Sequence, residues 1–226
     1  MGLILDSVFL IAIFVLLPIY TIFRQHKSKK NRQEGTQTQK SFAALHRTSL
    51  VAFLLLVLLG AAWVSNGRGL SDLGLGIPGN RGLTSLAIIA FIPFALAILV
   101  KLKPSKRAEV AAEDSILLPT SKEEFLRQIP LVIFISAAWE IIYRGALMFY
   151  FTPYLGIFMS MIAAAAFYTF QHKAKNTKHY IATFLIAFFF LGLFVISGSL
   201  WGPIVLHCMF PVAGGYALLR YQEKTA

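Results

Sequence analysis

The stretch PLVIFISAAWEIIYRGALMFYF, residues 130–151, decides how the chain must be read. Its length is that of a membrane-spanning helix, for which about 20 mostly apolar residues are needed. Only Glu140 and Arg144 interrupt it. On an insertion scale each such charge costs about 2.5 to 3.5 kcal/mol at a helix centre, so a span that carries both has to turn them away from lipid. At positions i and i+4 they share one helix face and can pair, which lowers the cost of both and directs that face toward the protein interior.

The remaining composition agrees with the bilayer as solvent. Of 226 residues 57% are hydrophobic and only 14% charged, and the mean hydropathy is +0.69, which is too apolar for an ordinary soluble domain. Apolar stretches suited to spanning fall at about 3–23, 49–64, 83–100, 130–151, 154–171, 180–197 and 203–219. The expected fold class is therefore all-α, a polytopic transmembrane helix bundle of about seven spans. The turn Ser197-Gly198-Ser199-Leu200-Trp201-Gly202-Pro203 reads either as an outer loop or as a re-entrant corner.

Lys and Arg fall in alternate loops. Segment 24–48 holds seven (Arg24, Lys27, Lys29, Lys30, Arg32, Lys40, Arg47), 101–129 six, 172–179 three and the tail two, against Arg68 and Arg81 alone in the loop 65–82. The positive-inside rule then sets the N-terminus outside and the C-terminus in the cytoplasm. The net charge of +11 is this same bias. It points to anionic lipid headgroups and not to nucleic acid. The first apolar run has no positive leader and is followed by basic residues, so it is expected to stay as an uncleaved anchor. With one cysteine, Cys208, no internal disulfide framework is available. Cys208 and its neighbour His207 point about 100° apart on a helix, which favours a simple buried thiol.

Local signals refine this outline. Ser121-Lys122-Glu123-Glu124 has the spacing of a capping box, so a short interfacial helix is expected there, with Pro130 marking a bend into the span. Leu73-Gly74-Leu75-Gly76-Ile77-Pro78 predicts turns laid against the membrane surface. No inverted repeat of the transporter kind is visible.

Among ten acidic and twenty-one basic residues, only Glu140 and Arg144 read as deep. His172, closing Phe167-Tyr168-Thr169-Phe170-Gln171-His172, and His207, in Trp201-Gly202-Pro203-Ile204-Val205-Leu206-His207, complete the polar groups near membrane depth. A carboxylate and an imidazole converging on one water make a general base for hydrolysis, and a second imidazole can stabilise an oxyanion or hold a metal. A purely structural ion pair between Glu140 and Arg144 is the alternative. On ideal antiparallel helices His172 falls near the cytoplasmic face, Glu140 near the midplane and His207 toward the outside. A common site therefore calls for a tilted fifth span or an inward-dipping corner at 198–203, with all three side chains facing one cavity.

These residues resemble the CAAX prenyl endopeptidase and bacteriocin-processing (CPBP, Abi) intramembrane proteases. That family carries E-E-x-x-x-R-G on one helix, F-x-x-x-H at the end of the next and a later H-x-x-x-N. The corresponding stretches here are Trp139-Glu140-Ile141-Ile142-Tyr143-Arg144-Gly145, Tyr168-Thr169-Phe170-Gln171-His172 and His207-Cys208-Met209-Phe210-Pro211. Leu73-Gly74-Leu75 is similar to a stretch common upstream. The resemblance implies a core at 120–220, preceded by N-terminal spans in 1–119 and followed by a tail, 221–226. Trp139 stands where the family has its first glutamate, Tyr168 replaces a phenylalanine and Pro211 replaces the asparagine.

What the resemblance implies is an intramembrane endopeptidase acting on membrane-associated peptides, with Glu140 and His172 activating water, His207 at the oxyanion and Arg144 holding Glu140. No cofactor is required on this reading. Zinc has one carboxylate and two histidines as candidate ligands but no H-E-x-x-H helix, and is not favoured. Expected partners are the lipid bilayer and a membrane-associated peptide or protein, with no nucleic acid, and the expected location is a bacterial inner membrane. Two other classes stay open: an inactive member acting as a scaffold or immunity-type partner, and a small proton-coupled transporter.

Overall fold

In a computed structural model, residues 1–23, 37–76, 119, 121–172 and 177–225 are described, and they are helical throughout apart from turns. Helix α1, Gly2–Ile11, continues through a π-turn, Ala12–Leu16, to Phe23. Helix α2 is Gln37–Ser65, followed by a 3-10 turn, Leu70–Leu73. Helix α3, Lys122–Glu140, passes through a second π-turn, Ile141–Ala146, into α4, Leu147–Gln171. Helices α5, Thr177–Ser197, and α6, Trp201–Thr225, complete the bundle.

Among the described residues, four helical runs are long and apolar enough to cross a membrane: Gly2–Phe23, Ala43–Ser65, Lys122–Gln171 and Thr177–Ser197. Their flanks expose Ile4, Phe53, Leu54, Phe158 and Leu185, side chains that only lipid would solvate without cost. The chain is an integral membrane protein. The count of about seven is not established by these four, since the expected span 83–100 lies outside the described residues and α6 is not among them.

The longest run holds two arms. Gly156 has φ 70° and ψ 168°, a conformation open to glycine and closed to residues with a Cβ, and it breaks the helix. Beyond it the chain returns antiparallel: the Tyr143 ring meets those of Phe167 at 6.0 Å and Tyr168 at 5.3 Å. The expected division of 130–151 from 154–171 therefore falls later, at Gly156, because Pro153 is accommodated inside the helix while the positive φ supplies the reversal.

Two other expectations change. The Ser121 hydroxyl accepts from the Glu124 amide at 3.1 Å, as a cap should, but the helix it starts runs through Pro130 to Glu140. The capped turn is the first turn of α3 itself, which is continuous with the rest of the helix. The glycine-rich turn after α2 is likewise not merely laid on a surface. Leu73 and Gly74 are buried, and the Gly74 carbonyl accepts from the Leu200 amide at 2.8 Å.

That turn ties three parts of the sequence together. A Cβ on Gly145 would stand 2.8 Å from the Leu73 carbonyl oxygen and 3.2 Å from Leu200 Cδ1, so the π-turn can approach only as glycine. Gly74, with φ 75°, leaves no room for a Cβ against the Phe194 ring. At the corner between α5 and α6, Gly198 (φ 65°) turns the chain, and the Ser197 hydroxyl accepts from the Ser199 amide at 3.2 Å. The main core, with Phe9, Ile13, Leu59, Trp63, Ile142, Leu147, Ala165 and Leu191, lies between α1, α2, the π-turn, α4 and α5. A smaller one, with Leu45, Phe125, Val132, Ile135 and Leu219, joins α2, α3 and α6.

Candidate active site

The helix geometry decides which polar residues can meet. Arg144 and Tyr168 lie at equal sequence distance on either side of Gly156, and so do Glu140 and His172. An antiparallel return therefore sets each pair at one level. On the opposite side, Gly145 and Leu200 share the layer made with Leu73. Glu140 precedes Gly145 by five residues and His207 follows Leu200 by seven, so at about 1.5 Å per residue both lie roughly 7 to 11 Å below that layer. His207 thus lies at the level of Glu140.

The contact is direct. His207 Nδ1 lies 2.6 Å from Glu140 Oε1. Against an ionised carboxylate, which can only accept, Nδ1 would be the donor of this bond. Arg144 Nη1 stands 2.9 Å from the same oxygen. The charges pair at this distance, but the angle is not that of a hydrogen bond, and Nη1 and Nε remain without hydrogen-bond partners. Glu140 and Arg144 are fully enclosed, at 0% and 1% exposure. Glu140 Oε2 is buried and accepts from no group among the described residues.

Two aromatic rings pack near the guanidinium. Arg144 Cζ lies 4.3 Å from the Tyr168 ring centroid and 5.6 Å from that of Phe190. A desolvated cation over aromatic faces gains about 2 kcal/mol or more, which offsets part of the cost of burying it. The His207 ring stands edge-on to both, 6.3 Å from Tyr168 and 6.3 Å from Phe190. Glu140 sits where α3 gives way to the π-turn Ile141–Ala146, a widened turn often found at functional positions.

His172 joins less closely. It is exposed at the end of α4 and is linked to the cluster through Tyr168: its ring centroid lies 4.2 Å from that of Tyr168, and Nε2 is 3.2 Å from the Tyr168 hydroxyl. Among the described residues it forms no hydrogen bond to Glu140 or His207. Next to it, Gln171 accepts from the Thr21 hydroxyl at 3.0 Å, and its Nε2 is buried without a partner.

The two positions that depart from the motif are also placed. Trp139 packs between the two cores, 5.6 Å from the Tyr143 ring. Pro211 lies inside α6, where its missing N–H leaves the His207 carbonyl without the donor a helix would supply. Cys208 donates from Sγ to the Ile133 carbonyl at 3.7 Å, a helix-to-helix contact that suits a structural thiol.

The donor set does not fit a metal ion. Glu140 and His207 would give two ligands, but no three His, Cys, Asp or Glu side chains gather among the described residues, and Arg144 already neutralises the only carboxylate.

Sequence reasoning missed a second buried cluster. Asp6, in the first span, is buried, which corrects the reading that Glu140 alone is deep. Its carboxylate accepts from Arg68 Nη1 at 2.8 Å, from Arg68 Nη2 at 2.6 Å and from the Tyr150 hydroxyl at 2.5 Å. The hydrogen bonds that Arg68 donates to Asp6 hold its guanidinium above its usual range. Arg68 also stacks 5.0 Å from Trp63, 4.8 Å from Phe149 and 5.5 Å from Tyr150. Tyr168 and Phe190, the rings around Arg144, were missed too. The signal available was an aromatic at a motif position one turn before His172.

Comparison with known families gives one result. A family model described as Type II CAAX prenyl endopeptidase Rce1-like matches residues 122–213, the span that carries Glu140, Arg144, His172 and His207. Neither a search of curated proteins nor one of solved structures finds a match. Over residues 122–213 the chain is thus similar to the Type II CAAX prenyl endopeptidase Rce1-like family.

Proposed function

We propose that this protein is an intramembrane endopeptidase that hydrolyses a peptide bond in a membrane-associated substrate. The observation that carries the reading is the buried, unpartnered Oε2 of Glu140, beside a carboxylate oxygen already held by Arg144 and His207. A buried polar atom left open in a packed protein marks a place for water or a ligand.

In this reading Oε2 accepts a proton from a water molecule, and the water oxygen bonds to the scissile carbonyl carbon. The oxyanion is met by the open N–H groups of Arg144 and, when His207 is doubly protonated, by its Nε2–H, since Nδ1 is engaged with Glu140. The C–N bond then breaks and the proton held on Glu140 passes to the leaving amine. His172 supports water activation from the neighbouring turn, at the level of Glu140. The basic segments 24–48 and 101–129 favour a cytoplasmic placement in a bacterial inner membrane, with the N-terminus outside.

The test is cleavage of a pool of membrane-anchored peptides by the purified protein in lipid. Turnover by the wild type that is lost in both Glu140→Ala and His172→Ala, with folding intact, is the expected result. The second reading, a scaffold without peptidase activity, is favoured by one feature, the apolar packing of Trp139 where the motif has its first glutamate. Silence in the wild type followed by turnover in Trp139→Glu would establish that second reading.

A further inference from the structure

Three helical segments carry exposed apolar bands that are shorter than a bilayer core. On α2 the exposed apolar side chains run from Leu50 through Phe53, Leu54 and Val57 to Val64. Fourteen steps of about 1.5 Å give that band a height of about 21 Å. On its basic side His46 and Arg47 are exposed, and Arg47 Nε donates to the Ala43 carbonyl at 3.0 Å, which draws the guanidinium one turn further from the band. On the other side the exposed Ser65 closes both the band and the helix.

The other two bands repeat this pattern. On α5 the exposed apolar residues run from Ile181 to Ile196, about 23 Å, between the exposed Lys178 and the corner Ser197-Gly198-Ser199. The arm of α4 after Gly156 exposes Ile157 to Phe170, about 20 Å, ahead of the exposed His172. Aromatic rings mark the rims: Tyr180 is exposed where α5 begins, Trp201 just past its corner and Tyr154 at the α4 reversal. Rings of this kind settle at the headgroup level.

A typical hydrocarbon core is about 30 Å thick, so the three bands fall short of it by about 7 to 10 Å. Tilt only widens the gap, because it shortens each band along the membrane normal. Helix α1, by contrast, exposes apolar side chains from Leu3 to Phe23, and a long helix fits a thin layer by tilting.

We propose that this belt is an interaction surface for short-chain lipid: the protein prefers acyl chains that form a hydrocarbon layer of about 20 to 23 Å, and thins a thicker bilayer around itself. Longer chains would have to compress or to cover Arg47, Lys178 and the Ser197–Ser199 corner, and that cost grows with every ångström of mismatch. The inference needs only that the chain spans the membrane, and holds whether or not it cleaves peptides.

The experiment measures relative lipid affinity by tryptophan quenching, with Trp201 as the exposed reporter at the rim. Full-length protein is reconstituted in vesicles of brominated dioleoyl phosphatidylcholine mixed in turn with dimyristoleoyl, dioleoyl or dieicosenoyl phosphatidylcholine, and relief of quenching reports how well each lipid competes for the belt. The expected order is dimyristoleoyl above dioleoyl above dieicosenoyl, with the first favoured over the second by roughly threefold. An affinity for dimyristoleoyl equal to or below that for dioleoyl would overturn the proposal.

Discussion

Two buried clusters in this molecule are built from nearly the same parts and end in opposite states. Near the start of α1, Asp6, Arg68 and Tyr150 bring a carboxylate, a guanidinium and an aromatic hydroxyl together, and both carboxylate oxygens accept hydrogen bonds. Between α3, α4 and α6, Glu140, Arg144 and His207 bring a carboxylate, a guanidinium and an imidazole together, with one carboxylate oxygen and two guanidinium nitrogens left open. Both guanidinium groups lie over aromatic rings. The difference is satisfaction, and it separates a clamp from a site. A closed network gains stability from every member, whereas an open one is stable only because its surroundings enforce it, and it has capacity left for a substrate.

The largest effect should follow from removing the open oxygen. Glu140→Gln keeps the shape and changes the acceptor, so turnover per folded molecule should fall by roughly 10² to 10⁴, as for a lost general base, and leaving Arg144 without its buried partner should also cost about 3 to 5 kcal/mol of stability. A steady-state assay in lipid, normalised to folded protein, measures this.

The clamp should respond in the opposite sense. Asp6→Ala leaves Arg68 without its carboxylate in a largely enclosed place, where the two side chains are only 10% and 18% exposed. Breaking such a pair costs about 3 to 5 kcal/mol when fully buried, and somewhat less here. Denaturant unfolding in mixed micelles should show this loss, and turnover per folded molecule should stay within a few-fold of the wild type. A variant that folds normally and loses turnover would make Asp6 part of the site and dissolve the comparison.

Gly145 lies between the two regions. Gly145→Ala forces a Cβ toward the Leu73 carbonyl oxygen and should destabilise by about 1 to 3 kcal/mol, since backbone cannot yield as a flexible side chain does. The smallest effect should come from Tyr150→Phe, which removes one of three hydrogen bonds to Asp6 and should cost about 1 to 2 kcal/mol with no change in turnover.

How far the sequence carried the reading differs between the clusters for a physical reason. Glu140 and Arg144 were legible because they stand in an unbroken apolar run, where any charge needs a partner, and the i, i+4 spacing named that partner. His207 was legible as a polar residue in an apolar segment, but its bond to Glu140 was not, because it depends on where the α5 to α6 corner sits relative to Gly145. Asp6 and Arg68 were overlooked because each lies at the edge of a span, where a charge is ordinary. Only the turn that folds Arg68 back over α1 makes them a pair.

The helical class followed directly from hydropathy, whereas the π-turn at Ile141–Ala146 has no local sequence mark. The place of the α4 reversal was blurred by Pro153, which looked like the break while Gly156 performs it. His172 was expected to face one cavity with Glu140 and His207. It reaches them through Tyr168, because the return from Gly156 sets it level with Glu140 but at the exposed end of its helix.

The most direct test of the central claim compares Glu140→Gln with Asp6→Asn in one assay, each reconstituted in lipid with the membrane-anchored peptide that the wild type cleaves, with turnover divided by the folded fraction. The account predicts at least a hundredfold loss for Glu140→Gln and near-normal turnover for Asp6→Asn. Equal losses in the two variants, or full turnover in Glu140→Gln, would contradict it.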